Sequence, residues 1–120
     1  MIGCNNKYYA VDYGWEKLVN EIIRLVDIYN YLYPSPVEFV KIIDIKEKFG
    51  ILNVTLNYYP HELFINIMKL ESESEKICEH CGTTHNVKTI DTHGWIMTLC
   101  DKCRQNENQL FKNRYLLPKF

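Results

Sequence analysis

The sequence contains no apolar run that approaches the ~18–20 residues needed to cross a bilayer, so no membrane-spanning segment is predicted. Its opening residues, MIGCNNKYYAVDYGW, lack the basic segment followed by an apolar stretch that marks a signal peptide. Basic residues are not in excess, with 14 Lys and Arg against 15 Asp and Glu, so nucleic acid is a less favoured partner. These absences predict a cytoplasmic protein with no membrane partner.

Four of the five cysteines form two pairs with the same spacing. Cys78 and Cys81 are separated by two residues, and Cys100 and Cys103 repeat that separation further along the chain. A two-residue gap lets both thiolates of a pair turn onto one ion, and two such pairs complete a tetrahedral shell. The spacing predicts a structural Zn²⁺ site with these four sulfur ligands. A disulfide framework is the alternative, and the missing secretion signal disfavours it.

The first part of the chain predicts a helix, a hairpin and a second helix. Apolar residues follow the 3.6-residue helical period over 15–33. Residues 38–46 and 51–58 are rich in β-branched and aromatic side chains, and Gly50 marks the turn of an antiparallel hairpin between them. A second apolar helical stripe covers 60–74.

The cysteine-rich end predicts two short strands at 86–90 and 95–99, then a helix over 104–117. A knuckle, a hairpin and a second cysteine pair that opens a helix is the order of a treble-clef zinc finger. A zinc ribbon, in which the second pair lies in another β-knuckle, is the second choice. The predicted fold class is α+β, with an α-β-β-α domain at 1–76 and a four-cysteine zinc-finger module at 77–120 packed on it.

Short motifs along the chain resemble those of a known group of proteins. They are Gly14-Trp15, the KEKFG segment at 46–50, the CxxCG segment at 78–82 and the GWxxTLCxxC segment at 94–103. In order and spacing the chain resembles small, largely uncharacterised proteins encoded by bacteriophages and prophages. It departs from them at residues 51–53, where the group tends to have a Gly-Leu-Arg-like continuation. The resemblance implies a phage-type accessory protein in the cytoplasm of a bacterial host cell, and it supplies no catalytic residues.

Aromatic residues supply candidates for a binding surface, since the chain has nine Tyr and two Trp. Tyr8, Tyr9 and Tyr31 fall outside the apolar patterns, and tyrosine is a typical anchor of protein interfaces. Lys46 and Lys48 near the hairpin turn are candidates to meet a phosphate or an acidic partner. Their alternative role is that of edge lysines, which discourage aggregation between strands.

The leading functional interpretation is non-enzymatic. The resemblance and the aromatic residues together suggest a protein that binds and blocks a host factor, with a bacterial antiviral defence component as the favoured target. One alternative is capture of a nucleotide signalling molecule in a pocket of tyrosines with Lys46 and Lys48, either within one chain or at a homodimer interface. The other is a reduced HNH-like nuclease with His93 as general base, although His93 also suits a turn position.

Overall fold

A computed structural model describes residues 9–92 and 94–115, with side chains as far as residue 108. Over these residues the fold combines three α-helices with two small antiparallel sheets of two strands each. This mixed composition and the predicted order of elements are confirmed. The elements are α1 (Glu16–Leu32), β1 (Ile42–Lys48), β2 (Ile51–Leu56), α2 (His61–Ser74), β3 (Val87–Thr92), β4 (Trp95–Cys100) and α3 (Asp101–Tyr115).

Helix α1 packs its apolar stripe against the first sheet and α2. A short 3-10 turn over Tyr13–Trp15 precedes it, and the Asp12 side chain accepts a hydrogen bond from the Tyr13 amide at 2.7 Å. Trp15 is fully buried, and α1 ends shortly before Pro34, which cannot donate a backbone hydrogen bond. The apolar period therefore places the helix within one residue of its observed ends, because that stripe forms the centre of the core.

Strands β1 and β2 form a hairpin joined by the two residues Phe49 and Gly50. Both have positive φ values, 54° and 80°, as a tight turn that follows the right-handed twist of the strands requires. Strand β2 alternates as its sequence predicts, with Leu52, Val54 and Leu56 buried on one face.

Strand β1 begins at Ile42, whereas the sequence predicted a strand from residue 38. Over residues 39–41, side-chain hydrogen bonds accompany one backbone bond, which the Asn57 amide donates to the Lys41 carbonyl at 3.1 Å. Asn57 donates from Nδ2 to the Phe39 carbonyl at 2.9 Å, and its Oδ1 accepts from the Lys41 amide at 2.9 Å. The β-branched and aromatic composition predicts the strand, but it does not show at which residue the backbone begins to pair with a neighbouring strand.

Both outer edges of this sheet carry hydrogen bonds to other parts of the chain. On the β1 side, the Ala10 amide donates to the Ile45 carbonyl at 3.0 Å, and the Glu47 amide donates to the Ala10 carbonyl at 3.2 Å. On the β2 side, three side chains accept from alternate strand amides. These are Ser74 Oγ from Leu52 at 2.9 Å, Glu71 Oε2 from Val54 at 2.9 Å and Tyr59 OH from Leu56 at 3.1 Å.

The second sheet and α3 surround a smaller apolar cluster that includes Leu99, Cys78 and Cys100. Hydrogen bonds join this part to the preceding elements. They run from Thr98 Oγ1 to the Gly50 carbonyl at 2.5 Å, from Trp15 Nε1 to the Ile77 carbonyl at 2.9 Å and from the Gly14 amide to the Glu79 carbonyl at 2.8 Å. The boundary between residues 76 and 77 stays a prediction.

The three α-helices of the described residues contain 17, 14 and 15 residues. None of them combines the length and the apolar character that a span requires.

Candidate metal centre

The first cysteine pair lies in a tight knuckle directly before the second sheet. The Cys78 amide donates to the Thr83 carbonyl at 2.9 Å, and the Gly82 amide donates back to the Cys78 carbonyl at 2.9 Å. Gly82 has a φ of 82°, a conformation that glycine adopts without steric cost. The turn therefore brings the sulfurs of Cys78 and Cys81 to the same side of the chain.

The second pair lies where a strand becomes a helix. Cys100 is the last residue of β4, and Cys103 lies in the first turn of α3. The Cys103 amide donates to the Cys100 sulfur at 3.4 Å. Free amides at a helix N-terminus favour a negatively charged group, so this location stabilises the thiolate form of Cys100.

The structure brings all four cysteines together. Their sulfurs lie within 4.8 Å of one another, and the sulfurs of Cys81 and Cys100 are 3.7 Å apart. A tetrahedral ion with metal–sulfur bonds of about 2.3 Å places its sulfurs about 3.8 Å apart. A disulfide needs sulfurs about 2.05 Å apart, and all four residues are free cysteines. The cluster can hold one metal ion.

The protein environment already favours loss of a proton from this cluster. Burial opposes ionisation of the Cys100 thiol, but hydrogen bonds from the Cys103 amide and the neighbouring thiols outweigh it and lower the Cys100 pKa to about 7. Burial and shared hydrogen bonds raise the pKa of Cys103. Metal ions bind thiolates, so an ion in the cluster would displace the remaining protons. Cys78 and Cys100 are buried, whereas Cys81 reaches the surface.

Glu79, inside the knuckle, fixes the position of the cysteine-bearing loop. Its amide donates to the Thr98 carbonyl at 2.9 Å, and its Oε2 accepts from the Thr98 amide at 2.7 Å. Burial raises the pKa of Glu79 to about 7, although the bond from the Thr98 amide works in the opposite direction. Glu79 therefore pairs with both backbone polar groups of Thr98 on the outer edge of β4.

His80 connects the knuckle to two other elements. Its Nδ1 is hydrogen-bonded to Asp12, and its Nε2 lies 3.5 Å from Glu107 Oε2 in α3. Burial alone would lower the pKa of His80, but Asp12, Glu107 and Glu79 outweigh burial and raise it. The imidazole thus points to carboxylates, and it does not belong to the sulfur cluster.

The other predicted site residues that the structure describes do not form one cluster. Tyr9 is half-buried against the main core, where burial followed by the charges of Asp27 and Asp44 raises its pKa. Tyr31 is 84% exposed near the end of α1. Lys46 Nζ lies 3.7 Å from Asp44 Oδ2, and Lys48 lines a groove near the hairpin turn. Tyr8 and His93 lie outside the described residues.

Sequence reasoning missed two surface features that the fold creates. The first is a run of exposed apolar residues after α1, including Val37, which is 89% exposed. The second is the pairing of Phe49 and Trp95 at one groove, although 45 positions separate them in the chain. The sequence contains a signal for the exposed apolar run, because Val37 follows two prolines and is not part of a periodic apolar stripe. No local sequence signal predicts that Phe49 and Trp95 line the same groove.

The assignment of the metal centre rests on the convergence of Cys78, Cys81, Cys100 and Cys103 within one small volume. The two pairs lie on different elements, one in the knuckle and one at the junction of β4 and α3, and the fold brings them together. No family model, curated protein or solved structure matches the chain.

Proposed function

We propose that the four cysteines bind a structural Zn²⁺ ion in a finger of the treble-clef type. Four thiolates fill a tetrahedral shell, which leaves no position for a reacting water molecule. The second pair straddles the junction of β4 and α3, as in a treble clef, whereas a zinc ribbon would place it in a second β-knuckle. In this proposal the ion holds a scaffold together and carries out no reaction.

We further propose that the protein acts by binding and blocking a host protein. The observation that carries this proposal is a surface segment called here the apolar loop, residues 31–39, which comprises the last two residues of α1 and the loop that follows. Its large apolar side chains are all at least 48% exposed. They are Tyr31 at 84%, Leu32 at 59%, Tyr33 at 56%, Val37 at 89% and Phe39 at 48%. A run of this kind on a free surface is typical of an interaction site.

The apolar loop is held in one conformation at both ends. Asn30 donates to the Val40 carbonyl at 2.9 Å and accepts from the Val40 amide at 3.0 Å, which ties the two ends together. Inside the loop, Ser35 Oγ accepts from the Glu38 amide at 2.9 Å. Tyr58 OH donates to the Glu38 carbonyl at 2.7 Å. Binding through such a loop loses less conformational entropy than binding through a flexible one.

The chemistry of the apolar loop favours a protein as the partner. Glu38 is its one charged residue, so the loop offers no cation to a phosphate backbone. Tyrosines with neighbouring aliphatic side chains are typical of the buried centre of protein interfaces. The phage-type motifs of the sequence support a bacterial host protein, and an antiviral defence component is the target we favour.

The direct test uses the full zinc-loaded chain as bait in lysate of a bacterium that carries an antiviral defence system. We expect the wild type to retain a component of that system and Val37→Asp to lose it. Phe49→Asn, which changes a different surface, serves as the matched control and should retain the component.

A functional measurement accompanies the retention assay. Expression of the wild type in the defended host should raise the plating efficiency of a susceptible phage, and expression of Val37→Asp should not. Equal retention and equal plating by Val37→Asp and the wild type would rule out the apolar loop as the binding surface.

A further inference from the structure

The four sulfur ligands of the proposed zinc centre are not equally protected from solvent. Cys78 and Cys100 are buried, Cys103 is partly buried and Cys81 is exposed. A bound metal ion keeps its cysteine ligands as thiolates, which are the form that reacts with oxidants. Reaction also requires access, so the exposed member of such a cluster is the first to react. The geometry of the centre therefore singles out Cys81.

A cavity of about 300 Å³ beside the cysteine knuckle contains Cys81 in its wall. Its lining residues are Tyr13, Gly14, Glu16, Lys17, Cys81 and Gly82. The backbones of the two glycines approach closely here, because a Cβ atom added to Gly82 would lie 3.2 Å from the Gly14 carbonyl oxygen. Neither glycine has a side chain that could cover the cysteine. A small reagent can therefore reach Cys81 from the surface.

A second sulfur lies close enough to complete an oxidation that begins at Cys81. The sulfurs of Cys81 and Cys100 are 3.7 Å apart, well inside the 4.8 Å that encloses all four sulfurs. A disulfide bond is about 2.05 Å long, so the two sulfurs need to approach by only about 1.7 Å. An exposed cysteine with a second thiolate beside it is the arrangement of a redox-sensitive site and its resolving cysteine.

We propose that Cys81 is an oxidation site, at which a hydroperoxide converts the metal centre into a disulfide and releases the ion. The Cys81 thiolate attacks one oxygen of the peroxide and the O–O bond breaks. The departing oxygen takes up a proton, and Cys81 becomes a sulfenic acid. The Cys100 thiolate then attacks the Cys81 sulfur, so that an S–S bond forms and the S–O bond breaks. The departing hydroxide is protonated to water, and two electrons have passed from the two sulfurs to the peroxide.

The disulfide removes two of the four sulfurs that would hold the ion. Cys78 and Cys103 alone do not fill a tetrahedral shell, so the ion leaves. This inference rests on the proposed zinc centre. It does not involve the apolar loop, residues 31–39, and is independent of the partner proposed for that surface.

Hydrogen peroxide tests the proposal on the full zinc-loaded chain with the substitution Cys4→Ser. This parent chain has the four cluster cysteines as its only cysteines. A chromogenic chelator follows the release of zinc, and peptide mass spectrometry maps the disulfides after the remaining thiols are blocked. We expect the Cys81–Cys100 disulfide to form first and at the rate at which zinc is released. A reductant with added Zn²⁺ should restore the loaded chain.

Lys17→Trp in the parent chain tests the route to Cys81, because a larger side chain in the cavity wall should restrict access. We expect this variant to bind zinc as the parent does and to release it several-fold more slowly under peroxide. Lys69→Trp is the matched control, because Lys69 is exposed on α2 and lines a different groove. It should release zinc at the parental rate. Equal rates for the two variants would refute the cavity as the route of entry.

Two results would overturn the oxidation site itself. The first is zinc that stays bound at a dose of peroxide that oxidises free cysteine in the same buffer. The second is a first disulfide that joins any other pair of cysteines. A chain that holds no zinc before the oxidant is added would refute the zinc centre as well, whereas a loaded chain that resists peroxide would refute only the oxidation site.

Discussion

Asn30, near the end of α1, forms hydrogen bonds with both backbone polar groups of Val40, eight residues after the helix ends. The Asn30 amide side chain thus joins the two ends of the apolar loop, residues 31–39, through one donated and one accepted hydrogen bond. Val40 itself is buried, so its backbone groups have little access to water as an alternative partner. The conformation of the apolar loop therefore depends strongly on this side chain, alongside the side-chain hydrogen bonds to the carbonyls of residues 38 and 39.

Asn30→Ala should destabilise the fold and loosen the apolar loop. It leaves two partly buried backbone groups without partners, and each such group costs about 1–3 kcal/mol. Urea denaturation should show this loss, and the Val40 amide should exchange its hydrogen faster. Asn66→Ala is the matched control, because Asn66 donates only to an exposed carbonyl in its own helix. That control should change stability by about 0.5 kcal/mol or less, and equal effects from the two variants would refute the closure role.

Glu71→Gln should change how stability depends on pH. Burial raises the pKa of Glu71, and the hydrogen bond from the Val54 amide lowers it to a smaller extent. The folded-state pKa therefore lies above the unfolded one. The stability that protonation contributes is complete below the unfolded pKa and is lost as the pH rises through the folded pKa.

Glutamine keeps an acceptor for the Val54 amide and removes the buried charge. We expect Glu71→Gln to be at least as stable as the wild type at pH 7, and the difference to disappear below about pH 4. Chemical denaturation of both proteins at each pH measures this, and the comparison between variants cancels any common effect of metal loss in acid. A difference that grows on acidification would contradict the stated sign.

Gly14→Ala should disrupt the contact between the cysteine knuckle and the segment before α1. An added Cβ would lie 2.0 Å from the Cys78 carbonyl oxygen and 2.5 Å from the carbonyl carbon of Glu79, which are backbone atoms that cannot rotate away. We expect a loss of at least about 2 kcal/mol and a weaker affinity for metal, measured by denaturation and by competition with a chelator.

Gly94→Ala provides the comparison for Gly14→Ala. A Cβ at Gly94 meets nothing within 4 Å, and the expected cost comes only from its φ of 94°. That cost should be about 1 kcal/mol with no change in metal affinity. If both glycine variants bound metal as the wild type does, the knuckle contact would have no part in forming the centre.

Removal of the metal should unfold at least the region from Cys78 to the start of α3. Structural zinc contributes roughly 10–16 kcal/mol of apparent binding free energy in small fingers at neutral pH. A whole domain has a net stability of only about 5–15 kcal/mol. Circular dichroism after chelation should therefore lose helix and strand signal and recover both on addition of Zn²⁺. An unchanged spectrum after confirmed metal loss would contradict the structural role.

The sequence predicted those parts of the fold that depend on local periodicity. The stripe through Leu18, Ile22 and Val26 and the alternation of Leu52 and Val54 both follow from one face of an element packing on the core. The cysteine spacing predicted that the four sulfurs converge, and they lie within 4.8 Å of one another, where they could hold a metal ion.

Features that depend on distant contacts could not be predicted in the same way. Ser74 reads as a polar residue near a helix end, yet it is fully buried and accepts a hydrogen bond from the Leu52 amide. Phe49 lies in the predicted turn between the first two strands, and only the structure shows that it is exposed and lines one groove with Trp95. Such relationships arise from tertiary packing, which no periodicity in the local sequence encodes.

Native mass spectrometry of protein purified under reducing conditions is the most direct test of the sulfur-only metal centre. The account predicts one zinc ion per chain, bound through Cys78, Cys81, Cys100 and Cys103, and no mass lost to disulfide formation. A Cys103→Ser variant should hold the ion more weakly. Metal-free wild-type protein that is nevertheless folded, or a mass showing the cysteines joined as disulfides, would contradict it.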